Sequence, residues 1–463
     1  MALPSQLKYG NKPETASARS YTSIIQPEGS MNDYGPNSTV KFNLPCQNNT
    51  VLVPSETYLK LTLSGITNGA AANSSIRLDG AGIHGCIQRM RVYHGSTEIN
   101  DIDNYGNFAK LMMSLQQSSD SFCSKQNVMS GTFSGYNSAG GTGTAFLPLI
   151  GERLTNAGPE NYAAVPIDGV VQDRNYAISL ISYVGTLSGD KYIPCYEMTS
   201  SPLRLELQFV SSVLKFVNTQ AALANTSFKI NNLELVCNFI ELSDDVIATL
   251  RERQMSMGQP LQYVVPNYSN VSANATIFTG STTRVTHQLS ARFASLKSIF
   301  CTMRSKADGQ QAFFPLSSTH FNLSSWNFRI GSQLVPSKQV STLQESYCEL
   351  LKAIGSIADL NHEPSINFQT YLKDPIPLVS GELAGALAAA TKSNCFAIGL
   401  DLETYATADR DSLWAGMNTL TSDVFLNADF ASGIGADTSV RFDFYSLYDQ
   451  VLVFENGSVR VVK

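Results

Sequence analysis

Apolar and polar residues alternate with a period of two along much of this chain, the pattern of strands that bury one face. Tyr58-Leu-Lys-Leu-Thr-Leu63 and Leu203-Arg-Leu-Glu-Leu-Gln-Phe209 show it most plainly. Longer alternating stretches follow over 202–216 and 228–242, and Val440-Arg-Phe-Asp-Phe444 repeats the pattern near the end. Helical spacing is confined to short places. Tyr105, Phe108, Met112 and Leu115 make an apolar stripe in a helix predicted over 102–115, which Asp101 or Asp103 can cap and which is expected over one end of a β-sandwich. Ser243, then Asp244 and Asp245, then Arg251 and Arg253 predict a second helix, ended by Gly258-Gln-Pro260. Thr342-x-x-Glu345 reads as a capping box for a helix over 343–357. Asn456-Gly457 predicts a tight hairpin between strands over 450–455 and 458–462.

These landmarks run through the chain twice. Val92-Tyr-His-Gly-Ser-Thr-Glu-Ile-Asn100, its helix, and strands at 176–187 and 203–209 form one pass. Phe328-Arg-Ile-Gly-Ser-Gln-Leu-Val335, its helix, and strands at 395–405 and 440–444 form the other. A spacing of roughly 220–240 residues is too long for a solenoid or propeller and predicts two similar β-rich domains, over 39–256 and 260–463, joined by a linker at 257–259. Residues 1–38, rich in Ser, Thr, Asn and Pro, are expected to be an extended arm that becomes ordered only against a partner surface. The Gly/Ser/Thr-rich stretch over 129–144 is expected to be an exposed loop, and the Ala-rich 382–392 a short helix in a long loop.

Composition narrows the function. Charged residues are 15% of the chain, against about 25% in an ordinary soluble domain, which suits a surface covered by neighbouring subunits. The net charge of -6 and the lack of a dense Lys/Arg patch speak against a grip on nucleic acid. The eight cysteines include no CxxC pair, and several sit inside apolar strands, so they read as free, buried small hydrophobes in a reducing compartment. The opening residues carry no apolar run of the kind a signal peptide needs.

Candidate chemistry is sparse. HExxH, GxSxG, a phosphate-binding Gly-Lys-Ser/Thr loop and metal-spaced Cys/His clusters are all missing. The five histidines, His84, His94, His287, His320 and His362, fall in separate segments. Asp244-Asp245 and Asp409-Arg-Asp411 read as a helix start and a surface loop rather than as paired catalytic carboxylates. No catalytic, cofactor-binding or metal-binding residue is therefore assigned, and no cofactor or enzymatic activity is expected.

The order of landmarks resembles the double jelly-roll major capsid proteins of polinton-like viruses, virophages and related double-stranded DNA viruses. Val40-Lys-Phe-Asn-Leu-Pro45 with Leu52-Val-Pro-Ser-Glu-Thr-Tyr-Leu59 is similar to the family's first strand pair. Arg89-Met-Arg-Val-Tyr-His-Gly95 with Tyr105, and Tyr192-Ile-Pro-Cys-Tyr196, follow its first jelly roll. Phe328-Arg-Ile-Gly331, Tyr347-Cys-Glu-Leu350, Phe396-Ala-Ile-Gly-Leu-Asp-Leu-Glu403 and the hairpin over 448–461 follow its second. The resemblance covers about 36–463. It implies an all-β protein of two tandem eight-stranded antiparallel jelly rolls with short helices in the loops. It further implies a structural protein of the virion capsid, assembled inside the infected cell as pseudo-hexameric homotrimers that tile an icosahedral shell. The implied partners are the chain itself, neighbouring capsomers, and penton and minor capsid proteins, without sequence-specific nucleic-acid binding. The competing readings are a carbohydrate-binding β-sandwich, which usually presents exposed Trp platforms where this chain has only Trp326 and Trp414, and a penton or spike protein, which normally needs one jelly roll.

Overall fold

The computed structural model describes residues 18–29, 32–66, 76–134, 149–150, 173–180, 192–219, 226–258, 260–305, 315–355, 357, 364–366, 371, 395–404, 415–432, 438–455 and 457–463. The first half contributes β1 (Ala18–Ile25), β2 (Thr39–Leu44), β3 (Thr50–Ser64), β4 (Ile87–His94), β5 (Thr97–Asp103), β6 (Arg174–Ile178), β7 (Leu203–Phe209) and β8 (Lys229–Leu242). The second contributes β9 (Leu261–Ile277), β10 (Thr283–Leu289), β11 (Leu296–Ser305), β12 (Leu323–Ile330), β13 (Gln333–Val340), β14 (Ala397–Asp401), β15 (Val424–Phe430) and β16 (Thr438–Glu455), with β17 (Ser458–Val462) closing a final hairpin. Three helices matter below: α1 (Tyr105–Gln116), α2 (Asp244–Met257) and α3 (Leu343–Lys352).

Each half is a sandwich of two antiparallel sheets, and the strand order is the same in both. The first half pairs its strands as β1-β8-β3-β6 and β2-β7-β4-β5, the second as β9-β16-β11-β14 and β10-β15-β12-β13. Every strand of the first sandwich thus has its counterpart eight strands later, which makes the fold two tandem jelly rolls. The alternation explains the faces: Val40, Phe42 and Leu44 of β2 are buried while Thr39, Lys41 and Asn43 are exposed. Burying each such apolar side chain contributes about 1.5–3 kcal/mol. The turn glycines repeat as well. Gly95 and Gly331 join β4 to β5 and β12 to β13, both with φ near +58°, a conformation that costs an L-residue roughly 1–2 kcal/mol. A Cβ on either would face a serine two residues ahead of the next pairing strand, Ser201 at 3.3 Å or Ser422 at 3.5 Å.

Several expectations shift. The first eighteen residues of the expected arm aside, the segment is not all arm: β1 pairs with β8 along its length, from Ala18 opposite Leu242 to Ile25 opposite Leu235. As an edge strand it turns only Tyr21, Ser23 and Ile25 toward partial cover, too faint a pattern to read in a Ser/Thr-rich stretch. The 202–216 alternation is broken after Phe209, where Val213–Lys215 forms a 3-10 turn. Neither Asp101 nor Asp103 caps α1. Asp101 pairs with Arg89, Asp103 takes hydrogen bonds from Gln88 and the Asn104 amide, and Asn104 itself stands at the cap with φ 52°. The stretch expected as a loop from residue 129 begins inside a short helix, Lys125–Ser130; residues 135–148, the end of the 176–187 strand and the 382–392 helix lie outside the described residues. Thr342 does cap α3, accepting from the Glu345 amide at 3.1 Å, while Glu345 accepts from the Ser341 amide. That helix stops at Lys352 rather than 357. The closing hairpin turns through Gly457, at φ +75°.

Candidate functional site

The most elaborate polar arrangement in the described residues lies where the two sandwiches meet. Helix α1 leaves β5 of the first sandwich and lies against the outer face of the β9-β16-β11 sheet of the second. All its residues except Gln116 are buried, and the buried apolar side chains of both halves form one continuous cluster. Phe108 packs edge-on against Tyr268, with ring centres 4.7 Å apart, and beside Tyr445 at 5.2 Å. Gly106 lets the helix close on the turn before β4, since a Cβ there would lie 2.8 Å from the Gly85 Cα.

Because this face is sealed from water, each polar group on it needs a protein partner. Asn107 donates to Thr302 Oγ1 at 2.8 Å and to Tyr445 Oη at 3.0 Å; Tyr445 donates to the Asn104 carbonyl at 3.2 Å. Lys110 Nζ donates to the Leu316 carbonyl at 2.8 Å, and Asp79, fully buried, accepts from the Leu316 amide at 2.6 Å. Further along the seam Asn267 and Gln450 both donate to the Ile99 carbonyl, each at 3.0 Å.

Asp443 is the ionic centre. It is fully buried, accepts from Ser272 Oγ at 2.6 Å, and is flanked by the guanidiniums of Arg304 (3.0 Å from Nε) and Arg441 (2.9 Å). Burial alone would raise its pKa, but Arg304, Arg441 and the Ser272 hydroxyl outweigh it and hold the carboxyl below its usual range. A second buried ion pair, Lys297 with Asp449 at 3.1 Å, sits deeper in the second sandwich. These groups are saturated with one another. What the arrangement can do is hold two sandwiches in a fixed relation; it offers no open position for a reacting atom.

The histidines are not brought together. His84 lies in the turn before β4 with its ring 6.1 Å from Tyr105, and burial lowers its pKa to about 3. His94 ends β4 with Nε2 3.1 Å from the Met198 carbonyl oxygen. His287, on β10, packs edge-on against Phe442 at 4.8 Å and is lowered by burial. His320 sits buried beside Phe396 and accepts from the Asn322 amide. Asp244 and Asp245 are exposed in the first turn of α2. His362, Asp409, Asp411 and Trp414 lie outside the described residues. Trp326 is buried and donates to Ser346 Oγ at 3.2 Å, so it forms no exposed sugar platform. Among the described residues no group of three or more His, Cys, Asp or Glu is placed to hold a metal ion, and no helix is long and apolar enough to cross a membrane. The cysteines are free thiols; Cys86, Cys195, Cys237 and Cys301 are buried, whereas Cys123 and Cys348 are exposed.

The sequence reading passed over the seam residues. Its one signal was Asn107, Lys110 and Ser114, spaced three and four apart opposite the apolar stripe. That spacing ordinarily marks the solvated face of a helix, and only the tertiary packing turns it inward.

No protein-family model matches the chain, and no curated protein matches it. Solved structures do. The PBCV-1 VP54 crystal structure fitted into a cryo-EM reconstruction of the virophage Sputnik superposes with a TM-score of 0.62 at 10% identity, over 99% of this chain and 100% of that one. The cryo-EM structure of the Sputnik virophage gives 0.58 at 9% identity, over 100% and 92%. The mavirus major capsid protein gives 0.57 at 10%, over 99% and 93%. At such identities the likeness is one of fold. The chain has the double jelly-roll architecture of viral major capsid proteins, along essentially its whole length.

Proposed function

We propose that this chain is a viral major capsid protein, a non-enzymatic structural subunit of the virion shell that assembles as a homotrimer. The observation that carries the reading is the head-to-tail contact inside the chain. The helical end of the first sandwich sits on the outer sheet face of the second, a heterologous contact of the kind that closes into a ring when repeated. The corresponding face of the first sandwich, β1-β8-β3, bears the exposed pair Lys60–Glu234 where the second bears buried Arg304–Asp443. A neighbouring chain's second sandwich, presented through α3, is the natural occupant. Three chains would then supply six sandwiches, a pseudo-hexagon able to tile an icosahedral shell beside penton and minor capsid proteins. The net charge of -6 favours a shell that encloses nucleic acid without sequence-specific binding.

Light scattering on the purified protein, paired with negative-stain electron microscopy, tests this reading. The expected particle has about three times the 50.2 kDa chain mass and a hexagonal outline. A monomer at every concentration, under conditions that favour assembly, would refute it.

A further inference from the structure

At the end of the molecule where α2 links the two sandwiches, an apolar groove of about 330 Å³ opens between them. Tyr192 and Leu242 line it from the first half, Leu261, Tyr263 and Phe454 from the second, and Leu250 of α2 from above. Tyr192 is 53% exposed and Leu250 40%, large apolar surface for a position flanked on three sides by ordered backbone.

The register of β1 brings a particular stretch of chain to this groove. Ala18 stands opposite Leu242, itself a lining residue. Since β1 runs antiparallel to β8, the chain preceding Ala18 leaves the sheet in the direction of α2 and the groove. Seventeen residues of sequence precede that point. Leu7 lies eleven positions from Ala18, a reach of up to about 36 Å when extended, so distance is no obstacle. In residues 1–9 the large apolar side chains, Met1, Leu3, Leu7 and Tyr9, all fall on odd positions, and Pro4 opposes a helix. An extended segment places those side chains on one face. Charge agrees as well. Lys8 and Lys12 are the only charged side chains in residues 1–13, and exposed Glu241, Asp244 and Asp245 stand where the chain departs.

We infer that the groove is the docking site for the chain's own N-terminal segment, which lies in it as an extended strand with Leu7 and Tyr9 directed inward and Lys8 outward. Tethering to β1 keeps the segment at high effective concentration beside the groove, which favours the same chain over a neighbour. Docked there, the segment would bind both sandwiches and α2 at once and brace the link between them from the side opposite α1. The inference stands independently of the capsid reading.

Disulfide trapping in the full-length protein tests it. With Leu7→Cys and Leu250→Cys combined, mild oxidation is expected to form a disulfide within one chain. The product would keep monomer mobility on a denaturing non-reducing gel, lose reactivity of both new thiols toward alkylation, and yield the 7–250 linked peptide on mass spectrometry. Lys8→Cys combined with Leu250→Cys is expected to leave both thiols reactive, because that side chain points away. Both positions of α2 and the segment tolerate cysteine without touching the core, so folding is checked simply by an unchanged melting curve. Equal trapping at positions 7 and 8, or none at either, would overturn the docking. A disulfide between chains would overturn the assignment to the same chain and place a neighbour's segment in the groove.

Discussion

The two sandwiches share a strand order, yet the same place on each is used oppositely. Across the β3–β8 pair of the first, Lys60 and Glu234 meet at 3.3 Å with side chains 46% and 30% exposed. Across the corresponding β11–β16 pair of the second, Arg304 meets Asp443 with side chains 13% and 0% exposed. The helices following the fifth strand differ in the same sense. Helix α1 is buried along nearly its whole length, whereas only Ser346 and Leu350 of α3 are buried. Topology alone therefore does not decide the worth of an interaction. What decides it is whether a neighbouring element shuts out water, and inside one chain α1 does this for the second sandwich only.

That contrast can be broken most sharply at its ionic pairs. Asp443→Ala leaves Arg304 buried beside no carboxylate and is expected to cost about 3–5 kcal/mol, read as a lowered denaturation midpoint. Glu234→Ala, at the equivalent exposed pair, should cost at most about 1 kcal/mol. Similar losses at the two sites would mean that α1 does not seal the face.

A pH titration of stability sharpens the comparison next. His84 precedes β4 by the same three residues that separate His320 from β12, but only His84 packs against α1, through Tyr105. Burial holds its pKa at about 3 in the folded state, against about 6.5 in the unfolded chain. Between those values the unfolded chain binds a proton that the fold refuses. The stability associated with neutral His84 is therefore complete above about pH 6.5 and is lost as pH falls toward 3, with a slope of up to about 1.4 kcal/mol per pH unit. His84→Gln should flatten that part of the profile, measured as the difference in melting temperature between pH 7 and pH 4. A profile unchanged by the substitution would show that His84 is not held neutral by the packing of α1.

The smallest expected effect separates the helices themselves. Gly106→Ala would raise helix propensity in isolation, but its Cβ meets the Gly85 backbone, so a loss of about 1–3 kcal/mol is expected. Gln344, in the same second position of α3, is exposed, and Gln344→Ala should stay within about 0.5 kcal/mol of the parent. Chemical denaturation of the pair measures both.

Much of the fold was legible because half-buried strands announce themselves. The 228–242 alternation lies within one residue of β8, and the 458–462 prediction is β17 as found. The capping box of α3 was readable because its partners lie three residues apart. What escaped the sequence depends on distant neighbours. Strand β1 has Ser and Thr where an inner strand would carry Val or Ile, since half its surface stays in water. The Asn107, Lys110 and Ser114 stripe looks solvated until a face some two hundred or more residues away covers it. That the chemistry would be sparse could be read from motifs, but the seam, the main polar feature of the molecule, carried no motif at all.

The long reach of that seam has a bearing on how the chain is made. Asn107 and its partner Tyr445 are separated by 338 positions, and Asn104 and Asp443 by 339. The first sandwich can complete its sheets once Leu242 has emerged, because β8 is its last strand. Its helix α1, however, must wait for nearly the whole of the second sandwich before its amides and Lys110 find their cover. A nascent chain halted between those points would display a finished β-structure with an unfinished, half-apolar flank, and contacts of such sequence separation form slowly. Ribosome pausing late in the message, or loss of the final strands, would thus be felt first in the half that was synthesised earliest.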